Sequence, residues 1–440
     1  MVLGVRTDGL ASILMAEHAR EPVHTRRHGR VVGYLLGLGA TLLALILIVV
    51  VVAAVVITDR TVTTDRRQSG LAPFYLAPSG WQDKAPGTLL RSEPLGVTLT
   101  NASAWRVLYV TTTSDGSKAV SSGMVFAPKD NGSLVAHLRP VVAWAHPTIG
   151  MGVSCAPSRS ANPTGDVQGL SMFLSAGWVV TATDYAGLGT RGTEEYLVGR
   201  SEAADLLNSA RAARQIPETE AGTRVGLWGH SQGGHAVLWA EALAPQLAPE
   251  LQIVGAAAAA PAAALDVLIP RLWNTDAGSV VGLEVLRGYP AAYPDLNPNV
   301  VSNWPQARIA RVANQCLLLG ALDVVISDLI GLGHPLRMNP MTNASWAQAL
   351  NLNVPPTPSV PTYVVQGMDD PLVLPGSTSH FLEAACTAHA PVSWAYIGAL
   401  GHMKAGQAGA PSAFTFLQQR FDGLSAPSDC GTELPVPALG

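Results

Sequence analysis

The sequence predicts an α/β fold: a mostly parallel sheet covered by helices on both faces, interrupted by an inserted, mainly helical cap and preceded by a transmembrane helix. Three observations carry that expectation. Short β-prone runs alternate with helical stretches from about residue 141 onward, the interval 262–358 breaks the alternation, and residues 31–57 carry no charge. Parallel strands need crossover connections, and helical crossovers cover both faces of the sheet.

The uncharged run, VVGYLLGLGATLLALILIVVVVAAVVI, is 27 residues long. At about 1.5 Å per residue it exceeds the roughly 20 residues that span a bilayer. Arg20, Arg26, Arg27 and Arg30 precede it, and Arg60, Arg66 and Arg67 follow it. This cation bias places a 1–30 tail in the cytoplasm and the bulk of the chain outside. A cleavable signal has an apolar region of about 7–15 residues after a short basic segment. The long tail and the lack of an A-x-A site favour a signal anchor, hence a single-pass cell-membrane protein with an extracytoplasmic domain; secretion after cleavage is the alternative. Residues 58–75 read as a polar linker and 76–440 as the folded domain.

Composition fits export. Of the residues, 48% are hydrophobic and 13% charged, ample for a core. A net charge of −4 offers no basic footprint for nucleic acid. Cys155, Cys316, Cys386 and Cys430 all follow the apolar run and show no CxxC spacing. Two disulfides are expected in an oxidising compartment, with all three pairings open, and the wide separations disfavour a metal site.

Along the domain, two β-rich runs within 105–126 form a hairpin around Asp115-Gly116. Strands are expected at 141–145, 178–183, 225–228, 253–257, 362–366 and 392–397, and helices at 169–175, 200–215 and 235–247. Segment 262–358, with helical stretches and scattered Trp273, Trp304 and Trp346, is too long for a connecting loop and suits a cap over the sheet's carboxyl edge.

The chemistry centres on VGLWGHSQGGHA, residues 225–236. A β-prone run enters Gly229-His230-Ser231-Gln232-Gly233, and a helical stretch leaves it, a strand-turn-helix that pushes a serine nucleophile out of the sheet. Glycines two before and two after the serine relieve crowding at a strained corner. A serine nucleophile needs a histidine base and a carboxylate to orient it. Asp369 and Asp370 follow the run at 362–366, and His402 lies in a glycine-framed loop after the last strand. His230 and His235 sit too close to Ser231 in sequence to turn back on it. The oxyanion of acyl transfer needs backbone N–H donors: Gln232, and Thr148 or Ile149 from the loop after the early strand, since Pro147 has no N–H.

The stretches AWAHPTIGMGVSCAPS, TDYAGLGTRGTEEYLVGRSEAADLLNSARAARQ, GHSQGGHAVLWA, QGMDDPLVLPGS and GALGHMKAG occur in one order between residues 71 and 430. In this the chain resembles the secretory lipase family of α/β-hydrolases, the fungal lipase A type and its actinobacterial relatives. The resemblance implies an α/β-hydrolase fold, Ser231 as nucleophile, Asp370 as acid and His402 as base. It also implies disulfides Cys155–Cys316 and Cys386–Cys430, and a cap over the acyl-binding site. His146-Pro147-Thr148 departs from the His-Gly-Thr common among relatives. The expected function is a membrane-anchored serine carboxylic ester hydrolase, a lipase or esterase acting on lipid or acyl esters, with no metal or organic cofactor. An envelope acyltransferase with the same triad and a non-catalytic envelope binding protein are the alternatives.

Overall fold

A computed structural model describes residues 64–129, 138–331 and 333–440. The chain divides into two compact units at Ser69/Gly70, and the fold below is that of the second. The 1–30 tail, the 31–57 segment and the first residues of the 58–75 linker lie outside the described residues. Among the described residues no helix is long and apolar enough to cross a membrane. At the end of the expected linker, Phe74 and Tyr75 are buried against Leu108 and Val120.

The strands are β1 (Leu89–Pro94), β2 (Ala102–Thr112), β3 (Lys118–Pro128), β4 (Arg139–Ala145), β5 (Val179–Thr183), β6 (Ala221–His230), β7 (Gln252–Ala259), β8 (Thr362–Gly367) and β9 (Val392–Ile397). They form one sheet in the order β1-β2-β3-β5-β4-β6-β7-β8-β9. The first three strands and the β3–β5 pair are antiparallel, and every pairing from β5 to β9 is parallel. β2 and β3 make the expected hairpin, with Thr112 opposite Lys118 and Gly116 at φ 86° in the turn.

Alternation along the central strands sorts two cores. Val141, Ala143 and Ala145 of β4, with Val225 and Leu227 of β6, pack in one core beneath helices α2 (Gly199–Ala213) and α3 (Gln232–Leu247). Val142, Trp144 and Trp228 point the other way, into a core shared with α1 (Leu170–Ser175) and α11 (His402–Phe421). Both faces being covered explains why these strands read as unbroken apolar runs.

Between β7 and β8 the cap contains α4 (Leu265–Leu272), α5 (Asp276–Ala292), α6 (Pro298–Val301), α7 (Gln306–Ala313), α8 (Leu317–Leu329) and α9 (Ala344–Asn351). It has its own core, in which Trp273, Trp304 and Trp346 are buried with Leu283, Leu286 and Tyr289. The tryptophans are therefore packing residues of the cap. A further helix, α10 (Pro375–Thr387), leads to β9.

Both disulfides join as the resemblance implies, Cys155 to Cys316 and Cys386 to Cys430. The first ties the loop after β4 to the start of α8; the second ties the end of α10 to the C-terminal segment. The second closes a separation of 44 residues, and restricting a loop of that length in the unfolded chain contributes about 2–4 kcal/mol. The Cys386→Ser/Cys430→Ser variant is expected to lose that amount, read as a lower denaturant midpoint; an unchanged midpoint would show that the bond constrains nothing.

Candidate active site

Ser231 sits between the end of β6 and the start of α3, with φ 59° and ψ −116°. Non-glycine residues avoid such torsions, which cost about 1–3 kcal/mol. The neighbours hold it there. The Ser231 N–H donates to the Ala259 carbonyl at 2.9 Å, and the Ser231 carbonyl accepts from the N–H groups of His235 and Ala262 at 3.0 and 3.2 Å. The two glycines are required by close approach. A Cβ on Gly229 would lie 2.2 Å from the Gly233 carbonyl oxygen, and one on Gly233 would lie 2.0 Å from that of Ala145.

Ser231 Oγ lies 2.9 Å from His402 Nε2, and His402 Nδ1 lies 2.8 Å from Asp370 Oδ2. Asp370 Oδ1 accepts the N–H groups of Leu372 and Val373, both at 2.9 Å, and Oδ2 accepts Gln366 Nε2 at 3.4 Å. With Nδ1 turned to the Asp370 carboxyl, the tautomer that donates from Nδ1 leaves Nε2 to accept from the serine hydroxyl. Asp369 is exposed, whereas Asp370 is 3% exposed; the structure thus separates the two adjacent acids.

His402 is not in a loop but is the first residue of α11, after Gly401. Gly406, Gly409 and Pro411 weakened the helical signal there. Two of them sit against close neighbours: a Cβ on Gly406 would push on the end of the Gln168 side chain, and one on Gly409 would lie 3.2 Å from Val365.

The other two histidines are engaged elsewhere. His230 Nε2 lies 3.0 Å from the His402 carbonyl oxygen, so it carries the proton and donates, while Nδ1 faces the Gln168 amide at 3.4 Å. Burial, with the nearby His402, lowers the His230 pKa to about 3, which keeps it neutral. His235 Nδ1 pairs with Glu202 Oε2 at 2.6 Å, and its Nε2 faces the Asn353 carbonyl at 2.8 Å.

Gln232 heads α3, and its backbone N–H belongs to the first helical turn, which lacks intrahelical partners and carries the positive end of the helix dipole. Its side-chain amide donates to Glu194 Oε1 at 2.7 Å and Glu202 Oε1 at 2.9 Å. Two buried carboxyls therefore hold the residue after Ser231. In TEEYLVGRSE, with Arg200 and Ser201 between them, these acids resemble a solvated face, and nothing in the local sequence marks them as buried. Of the two expected oxyanion donors on the β4 loop, Thr148 lines the cavity over Ser231 and bonds the Tyr196 hydroxyl at 2.6 Å. Ile149 does not line it, and its carbonyl accepts from the Leu317 N–H.

That cavity, about 60 Å³, is bounded by Ser231, Gln232, His402 and apolar cap residues including Leu265, Leu268, Ile269 and Leu317. A groove of about 1080 Å³ lined by Thr98, Lys129, Ser171 and Gln407 is larger but contains none of these chemical groups.

Residues 162–429 match the secretory lipase family. The chain belongs to this family. It is accordingly a carboxylic ester hydrolase of the lipase type. It is 25% identical over 391 residues to Lipase A of Arthroderma benhamiae, covering 82% of this chain and 81% of that one. A probable inactive lipase of Mycobacterium tuberculosis is 29% identical over 238 residues, covering 51% of this chain and 52% of the other. The fold matches Candida antarctica lipase A in its closed state with a TM-score of 0.68, covering 84% of this chain and 89% of that one, at 21% identity.

The buried acids make stability pH-dependent. Burial raises Glu194 and Asp205 to about 8 and Glu241 to about 7. Because these folded-state values exceed the unfolded ones, their contribution to stability is full below about pH 4 and is lost as pH rises through 7–8. The melting temperature is expected to fall between pH 5 and 9, and to fall less in Glu194→Gln, which is neutral throughout; parallel curves would contradict this.

Proposed function

We propose that the chain hydrolyses lipid or acyl esters through an acyl-enzyme built by Ser231, His402 and Asp370. The observation that carries the reading is the continuous Ser231–His402–Asp370 hydrogen-bond chain, at 2.9 and 2.8 Å, with the serine on a strained turn. Ser231 Oγ attacks the ester carbonyl while His402 Nε2 takes its proton. The N–H groups of Gln232 and Thr148 receive the developing oxyanion. Collapse expels the alcohol, protonated by His402; water then attacks the acyl-enzyme with His402 again as base, and the acid leaves. Asp370 holds the Nδ1–H tautomer and stabilises the imidazolium. The apolar cap residues around the cavity suit an acyl chain.

The setting is extracytoplasmic. The two disulfides support an oxidising compartment. The uncharged 31–57 run supports a signal anchor leaving the 1–30 tail inside, and the 76–440 domain with its 262–358 cap outside. Secretion after cleavage would leave the catalytic reading unchanged.

Hydrolysis of p-nitrophenyl esters of graded chain length tests the reading. Ser231→Ala and His402→Ala are each expected to lower kcat by about 10⁴-fold or more, and Asp370→Asn by roughly 10³–10⁴-fold, with folding retained. Wild-type activity that survives in Ser231→Ala would refute it.

A further inference from the structure

Two backbone corners with positive φ line the cavity: Ser231 at 59° and Leu197 at 53°. Bulky side chains avoid that region, so surrounding structure must hold Leu197 in it. Its N–H donates to Glu202 Oε1 at 3.0 Å, and its carbonyl accepts from the Tyr289 hydroxyl at 3.3 Å. Next to it in the chain, the Tyr196 hydroxyl meets Thr148 Oγ1 at 2.6 Å.

The same Glu202 oxygen accepts from the Gln232 side-chain amide at 2.9 Å, and Oε2 engages His235 Nδ1 at 2.6 Å. Glu202 is 1% exposed and sits in the first turn of α2. One buried carboxyl therefore bridges the residue after Ser231 and the wall segment that holds Thr148. The bridge is itself framed. His235 Nε2 faces the Asn353 carbonyl at 2.8 Å, and Asn353 Oδ1 accepts the Gly199 N–H at 2.9 Å, which returns the chain of bonds to the start of α2. Capping of α2 would need the Leu197 bond alone; the two bonds across to α3 point to a second task.

We propose that Glu202 is the positioning residue of the oxyanion hole, setting Gln232 directly and Thr148 through Leu197 and Tyr196. The proposal rests on the ester-hydrolase reading and adds to it a residue that touches neither substrate nor Ser231. Its leverage comes from geometry, because displacing a reacting or stabilising group by about 1 Å costs on the order of 10²-fold in rate.

The test reads hydrolysis of p-nitrophenyl butyrate and inhibition by butylboronic acid, whose tetrahedral adduct on a serine places an oxygen in the oxyanion hole. Glu202→Ala is expected to lower kcat by about tenfold or more with KM changed less than about twofold, and to weaken boronate inhibition by a matching factor. Glu202→Gln keeps an oxygen for Leu197 and Gln232 and offers its amide to His235 Nδ1, which accepts when the ring proton sits on Nε2; its kcat is expected within about threefold of wild type. A purely capping role would lower the melting temperature of Glu202→Ala and leave kcat and inhibition as in the wild type. That result, a loss confined to KM, or a Glu202→Gln as slow as Glu202→Ala would each overturn the proposal. Should Glu202→Ala not fold, Gln232→Met removes the amide that reaches Glu202 and keeps the backbone N–H; the same paired losses are expected, and wild-type values would overturn the role. A wild type that does not turn over the ester would refute the hydrolase reading and this role together, whereas an active wild type lets the variants decide the role alone.

Discussion

The torsion forced on Ser231 is the constraint from which the site follows. A φ of 59° on a serine persists only where surrounding structure over-determines it. Here β7 supplies the acceptor for its N–H, the first turn of α3 and the start of the cap supply donors for its carbonyl, and Gly229 and Gly233 remove the clashes. Each of these depends on parallel register between β4, β6 and β7, which sets the Ala145 and Ala259 carbonyls at their positions. The buried sheet therefore exists, from the viewpoint of chemistry, to hold one unfavourable corner.

Charge is distributed around that corner in two layers. Nearest Ser231, the Asp370 carboxyl engages His402 Nδ1 and leaves Nε2 facing the serine hydroxyl. His230 stands beside His402 as a neutral donor to its backbone carbonyl, so no second cation sits against that ring. Behind the helix terminus, Glu194 and Glu202 hold the Gln232 side chain. Burial pushes Glu194 up to about 8, so this layer holds fewer negative charges near neutrality than its composition suggests. That arrangement holds Gln232 in place with reduced negative charge behind the helix terminus.

Much of this was legible because local and long-range signals agreed. The central strands announced themselves by apolar runs, the elbow by its paired glycines, and the hydrogen-bonded trio Ser231, Asp370 and His402 by its order at strand ends. What escaped had a physical reason in each case. β1, reading LLRSEP, is an edge strand whose charges and proline mask it. The helix beginning at His402 contains glycines packed close to Gln168 and Val365, which a propensity reading counts against it. The buried acids of the TEEY stretch look solvated until the cap closes over them. The tryptophans scattered through the cap fill its core, and its outward apolar face belongs to Leu, Val and Ile side chains of α8.

The account stands on Ser231 being an activated nucleophile. A fluorophosphonate reacts with a serine only where a base removes its proton, so peptide mapping of the adduct reads that property directly. The expected result is one adduct per chain, on the peptide containing Ser231, lost in His402→Ala. An adduct on another residue, or none on a folded chain, would contradict the account.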